Sequence, residues 1–158
     1  MKKLLFVLTL LLIAATASVA FAASSSVSAS NPRQILEIAK GFGSAEEGID
    51  NVGDPKITGR IDGHRYTMLF YGCENNRNCT SIQFSIGWAL SPADQPDIET
   101  INEWNMRNRF GKAYIDDEGD PMLKIDLPLV DVPAAYLERW FSWWQIGVRD
   151  FRKHIDLD

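Results

Sequence analysis

At 158 residues, 46% of them apolar and 23% charged, the sequence has the size and balance of one globular domain. Its formal charge of −5 opposes phosphate backbones and anionic lipid surfaces, so nucleic acid is not an expected partner. Only two histidines and two cysteines are present, which leaves little from which to build a metal site.

The chain opens with Lys2 and Lys3, an apolar run at 4–13 broken only by Thr9, and the small-x-small pattern of Ala20, Phe21 and Ala22. The run is too short for a membrane span and no charged cluster follows it. Residues 1–22 therefore read as a cleaved signal peptide, with a retained N-terminal anchor as the other reading. Cleavage gives a periplasmic or secreted product with no membrane span, and losing Lys2 and Lys3 takes the charge from −5 to −7. Residues 23–30 are Ser-rich without pattern, a flexible linker into a single domain at 31–158.

A first helix starts where Asn31 can cap, Pro32 suits the first position and Gln34 completes a capping-box spacing. Ile35, Leu36, Ile38, Ala39 and Phe42 form its apolar stripe, and Gly41 and Gly43 stop it. Strands follow at 56–61 and 64–71, joined by Asp62-Gly63, a strong hairpin turn. The segment 81–90 alternates, with Ile82, Phe84, Ile86, Trp88 and Leu90 on one face. Between these strands lie Cys73 and Cys79, which in an exported chain read as one structural disulfide; a redox pair usually has two residues between its cysteines, and here there are five. A second helix is predicted over 97–109, capped by Asp97, then strands at 112–116 and 121–129, the latter with Leu123, Ile125, Leu127 and Leu129 inward. A last helix covers 133–155. The segments 50–55 and 116–121 share the form D-[ND]-x-G-D-P, each a turn ahead of a strand. The order describes an α+β domain with helices packed on an antiparallel sheet.

No catalytic set emerges. His64 and His154 lack spaced partners, and no nucleophile-elbow, P-loop or dinucleotide fingerprint is present, so neither catalytic residues, a metal nor a cofactor is expected. The acidic turn 116–120 fails the calcium-loop pattern, because position 12 counted from Asp116 is Leu127. A metal-assisted hydrolase using Asp116, Asp117 and Asp120 is the enzymatic alternative, and a purely structural envelope protein is a third.

Two helices carry the binding candidates. On the second, Ile98, Ile101, Asn102, Asn105 and Arg109 fall on one stripe, with Asn108 beside it and Trp104 on its flank. The stripe turns inward, either to bond loop backbone such as the 116–121 turn or to line a ligand site built from Asn102, Trp104, Asn105, Asn108 and Arg109. On the last helix, Leu137, Trp140, Phe141, Trp144, Val148, Phe151 and Ile155 form a core stripe. Trp143 and Ile146 lie outside it with Tyr136 and Gly147 at the edge, a candidate interface for a protein or peptide partner or for a homodimer.

Residues 102–121, NEWNMRNRFGKAYIDDEGDP, resemble the signature of the YbjN domain family, whose description is one of sensory transduction regulation. The G-D-P before the first strand, the Gly63 hairpin, the Cys73/Cys79 pair and the aromatic last helix also fit, and the likeness covers about 32–153, with a departure at 131–134 (DVPA). The resemblance implies a fold similar to type III secretion chaperones, a twisted antiparallel sheet of five to six strands carrying three helices, often dimeric. It transfers no catalytic residue. Asn102, Trp104, Asn105, Asn108, Arg109 and Phe110 match the motif and are the site it implies.

Overall fold

A computed structural model describes residues 26–157; the expected signal peptide at 1–22 lies outside the described residues. Eight strands and three helices follow in the order β1 (Ser26–Val27), α1 (Pro32–Lys40), β2 (Ala45–Ile49), β3 (Pro55–Ile61), β4 (His64–Tyr71), β5 (Ser81–Gly87), α2 (Ile98–Arg107), β6 (Lys112–Ile115), β7 (Pro121–Pro128), β8 (Val132–Pro133) and α3 (Ala134–His154). Six strands pair antiparallel in the order β2-β3-β4-β5-β7-β6, and β1 pairs with β8 as a separate ribbon. The fold is α+β, as expected. The chain leaves β5 through α2 to the sheet's edge at β6 and returns through β7 to lie beside β5.

The alternation in the sequence becomes two different sheet faces. Ile57, Met68, Phe84 and Ile125 stand in one register across β3, β4, β5 and β7, and all four are buried. The neighbouring row on the other face is Thr58, Thr67, Ser85 and Lys124. The apolar face takes the helices: Phe141 of α3 meets Phe84 edge-on at 5.0 Å, Trp144 tilts over Phe84 at 5.5 Å, and Phe42 after α1 stacks on Phe141 at 4.9 Å. An antiparallel sheet covered on one side yields this hydrophobic-in, polar-out pattern. Gly59 is needed where it stands, because a Cβ there would lie 2.5 Å from the Tyr66 hydroxyl, whose ring lies over it from β4. Burial of that phenol raises its pKa above the ordinary value, so it stays neutral.

The two D-[ND]-x-G-D-P segments form matching hairpin turns. In the first, Asp50 Oδ1 accepts from the backbone N–H groups of Val52 and Asp54, both at 2.9 Å. In the second, Asp116 Oδ1 accepts from Glu118 at 3.0 Å and Asp120 at 2.9 Å. Gly53 (φ +92°) and Gly119 (φ +88°) supply the left-handed backbone that both turns require. Between β3 and β4, Asp62 and Gly63 both take positive φ, the two-residue turn their sequence indicates.

Several expectations need correction. The described part of the segment expected to be a flexible linker, 26–30, is built into the fold: Val27 and Ala29 are buried, and the Ala29 N–H donates to the Leu129 carbonyl at 2.7 Å. Its partner β8 lies in the DVPA segment, so each half gains its structure only by meeting the other. Asn31 caps α1 through the Gln34 N–H at 3.3 Å, but the Gln34 side chain does not close a capping box; it donates to the Ser26 carbonyl at 2.7 Å and ties α1 to β1. β2 was not expected, because its sequence AEEGI is polar and lacks alternation; its two glutamates suit an edge strand, where charge discourages further pairing. β5 ends at Gly87, short of residue 90, and Trp88 leaves the strand to pack on Phe151 at 5.6 Å.

Cys73 and Cys79 are bonded at the tip of the β4–β5 hairpin. Within that loop, Asn76 donates to the Val52 carbonyl at 3.0 Å and to Asp54 Oδ1 at 2.8 Å, docking the loop onto the first acidic turn. So short a closed loop constrains the unfolded chain modestly, and replacing both cysteines by serine is expected to lower stability by about 2 kcal/mol. Urea unfolding followed by tryptophan fluorescence checks this: the midpoint should fall while the native spectrum is kept.

Candidate functional site

α2 begins where the Asp97 side chain accepts the Thr100 N–H at 2.8 Å; that backbone hydrogen bond, first among several, holds the carboxyl below its usual range. The helix then buries Ile101 and Trp104, with Asn108 half-buried one turn on. This is not the stripe read from the sequence. Ile98 is 62% exposed, Asn102 and Arg109 face outward, and Trp104, expected on the flank, is at the centre. The large indole decides the rotation: it meets Phe151 edge-on at 5.0 Å and lies 5.7 Å from the His154 ring.

Asn105 is left at the edge of the buried face, where it meets β6. Its Nδ2 donates to the Ala113 carbonyl at 3.0 Å and its Oδ1 accepts the Ala113 N–H at 2.9 Å. An edge strand presents a row of unpaired backbone groups, and the primary amide, which has the donor and acceptor of a peptide unit, satisfies both of those at Ala113. The expected inward docking onto loop backbone is thus made by Asn105 alone of the three, and onto β6 rather than the 116–121 turn.

Past Asn105 the helix ends. Asn108 takes extended backbone (φ −115°, ψ 128°) and its Nδ2 donates to the Trp104 carbonyl at 2.9 Å. Gly111 has φ +82°, so the chain reverses sharply into β6 and carries Arg109 and Phe110 outward, against α3. Phe110 stacks on Trp143 at 5.0 Å with 12° between the rings, and the Arg109 guanidinium sits 5.0 Å from the Phe110 ring centre on its face. Trp140 stands edge-on to both Phe110 (5.2 Å) and Trp143 (4.8 Å), and Tyr136 edge-on to Trp140 at 6.2 Å.

Beside this ladder a cleft of about 320 Å³ opens between α2 and α3. Leu123 and Ile125 of β7 form its floor, Trp104 and Trp143 line its sides, and Arg107, Arg109 and Asp150 stand at its rim. Gly147 on α3 also lines it, and a Cβ added there would approach only Leu123 Cδ2, at 4.0 Å. A glycine within a helix costs about 1 kcal/mol relative to alanine. No close packing explains this one, and its effect is to keep the cleft open.

The structure therefore joins two groups of candidates that the sequence kept apart. Trp104 from α2 and Asn108 and Arg109 from the turn after it share the cleft with Trp143 and Ile146 from α3. Tyr136, Trp143 and Ile146 are 39%, 38% and 45% exposed, as their place outside the core stripe indicates, but Tyr136 reaches the group only through Trp140. Asn102 and Asn105 do not line the cleft. Phe110, 42% exposed, is the residue whose part was missed; it lay in the matched motif, and only its contact with a helix 33 positions away shows what it does. Elsewhere, His154 Nε2 donates to the Thr100 carbonyl at 2.8 Å, and burial, then Arg152, lowers the His64 pKa. Among the described residues no three His, Cys, Asp or Glu side chains gather as a metal site would require.

The described residues form a small α+β domain with a cleft walled by surface aromatics. Residues 31–157 match the YbjN family, described as "putative bacterial sensory transduction regulator", and the chain belongs to that family. No curated protein matches it in sequence.

Replacing Asn105 by alanine leaves both Ala113 backbone groups without their partner and is expected to cost about 1–2 kcal/mol. Aspartate at 105 keeps the acceptor but turns a carboxylate oxygen on the Ala113 carbonyl, so it should do no better. Urea unfolding with amide exchange at Ala113 measures this; unchanged stability and exchange would show that other contacts hold the edge.

Proposed function

We propose that the chain is a non-enzymatic regulatory module of the cell envelope that grips a protein or peptide partner in the α2–α3 cleft. The observation that carries this is the Phe110–Trp143 stack: two large rings held in place by the fold, yet 42% and 38% exposed beside an apolar floor. Interface energy concentrates on such preformed aromatic anchors, and a partner that covers them need not immobilise them first. Membership of a family described for sensory transduction regulation supports a role exercised by binding. The periplasmic or secreted location rests on residues 1–22 and on the Cys73–Cys79 bond, since disulfides persist in oxidising compartments. Among the described residues no helix is long and apolar enough to cross a membrane. A second copy of the chain is one partner such a surface could take.

The hydrolase alternative finds no support. Asp116 uses its carboxylate on two backbone amides of its own turn, and Asp120 Oδ1 accepts the Leu90 N–H at 2.9 Å. These groups hold loops together.

Capture from an envelope extract, with the wild type and a Phe110→Ser/Trp143→Ser variant side by side, tests the reading. A partner retained by the wild type and lost with the variant is expected. An unchanged set of captured proteins, or none, overturns it. Sedimentation of the same samples reports self-association, and a wild type that stays monomeric removes the homodimer.

A further inference from the structure

The α2–α3 cleft continues into a second depression of about 330 Å³ through Arg109, Phe110 and Ile125, which line both. Arg107, Arg109, Lys112 and Lys124 stand around the combined groove, against Asp126 and Asp150. Two of the cations already have acidic partners: Arg107 pairs with Glu103 at 3.3 Å and Lys112 with Asp126 at 3.2 Å. The other two lie on aromatic faces instead, Arg109 over Phe110 and Lys124 4.9 Å from the Tyr114 ring centre. Among the described residues neither of these pairs with a carboxylate. A chain of formal charge −5 thus keeps Arg109 without an acidic partner at the lip of the apolar cleft and Lys124 likewise on the adjoining depression, on the sheet face opposite Leu123 and Ile125.

From this distribution we infer that the groove takes an acidic peptide segment bearing one bulky apolar residue. The inference rests on the binding reading above and specifies the partner's chemistry. The apolar side chain fills the space that Gly147 leaves over Leu123 and Ile125, one flanking carboxylate meets Arg109 at the cleft's lip, and another reaches Lys124 past the edge of β7 through the second depression. A guanidinium already oriented by a ring loses little freedom when it donates to a carboxylate, and its planar fork suits that partner. Segments rich in lysine or arginine meet the same field with the wrong sign.

Fluorescence anisotropy of the full chain with two labelled peptides tests this, one carrying a single leucine flanked by glutamates and the other the same leucine flanked by lysines. The glutamate peptide should bind at least about tenfold more tightly at low salt, and the preference should shrink as salt rises. Arg109→Ala with Lys124→Ala should bring the two peptides close together. Gly147→Leu should fill the groove and weaken the glutamate peptide by about tenfold or more while keeping or raising the unfolding midpoint, since leucine favours a helix over glycine. Equal binding of both peptides, or preference for lysine, with Gly147→Leu still blocking, overturns the charge assignment and leaves the binding reading standing. Absence of binding, or binding that Gly147→Leu does not weaken, overturns the proposal at this groove; the capture experiment then decides separately whether the cleft binds anything else.

Discussion

The amide of Asn105 holds α2 against the last strand of the sheet, and the geometry of the cleft follows from that contact. By taking both backbone groups of Ala113, it docks the helix and pairs an edge that would otherwise face another chain. With α2 rotated by the packing of Trp104 on Phe151 and pinned by Asn105, the helix ends at Asn108, and the short reversal through Gly111 throws Phe110 onto Trp143. Arg109, carried on the same reversal, comes to lie on the Phe110 ring. A polar side chain with two hydrogen bonds therefore shapes the site together with the indole that sets the helix's rotation.

What was legible in the sequence was whatever depends on near neighbours. The two D-[ND]-x-G-D-P turns form as read because one aspartate bonds amides two and four residues ahead, and the Asp62-Gly63 hairpin because both residues tolerate positive φ. The alternation of β7 gave its buried face directly. What was not legible depends on distant partners. Ser26–Val27 becomes a strand only against Val132–Pro133, and β2 forms only because β3 offers an edge to its polar sequence. The rotation of α2 belongs to the same class. A stripe drawn at 100° per residue counted Ile98 as inward, whereas the packing of one indole against α3 outweighed that isoleucine and turned Asn102 and Arg109 to the surface. The site suffered most, since each half was recognisable but their meeting depends on a contact between residues 110 and 143.

The sheet's two faces divide the molecule's tasks. The helix-covered face supplies the core through Phe84, Phe141 and Trp144, while the other carries threonine, serine and lysine in register. β7 serves both the core and the site. Leu123 and Ile125 are buried in the core cluster and also form the cleft floor, so the floor is as rigid as the sheet beneath it. Ligand sites placed on rigid elements lose little order when occupied. The acidic turns and the disulfide loop lie at the hairpin ends and are occupied with their own backbone, which accounts for carboxylates that a search for catalytic groups would single out.

The cleft itself is held open against the ordinary tendencies of a helix. α3 runs 21 residues with a continuous aromatic and aliphatic core stripe, and Gly147 interrupts its outer side with no close neighbour to require it. Alanine there would favour the helix by about 1 kcal/mol, and a larger side chain would also cover Leu123 and Ile125. Tyr136, Phe110 and Trp143 likewise keep apolar area in water that deeper packing would remove. Gly147, Phe110 and Trp143 lie along one groove, beside Arg109, which pairs with no carboxylate among the described residues, so the fold's local inefficiencies gather at the candidate site.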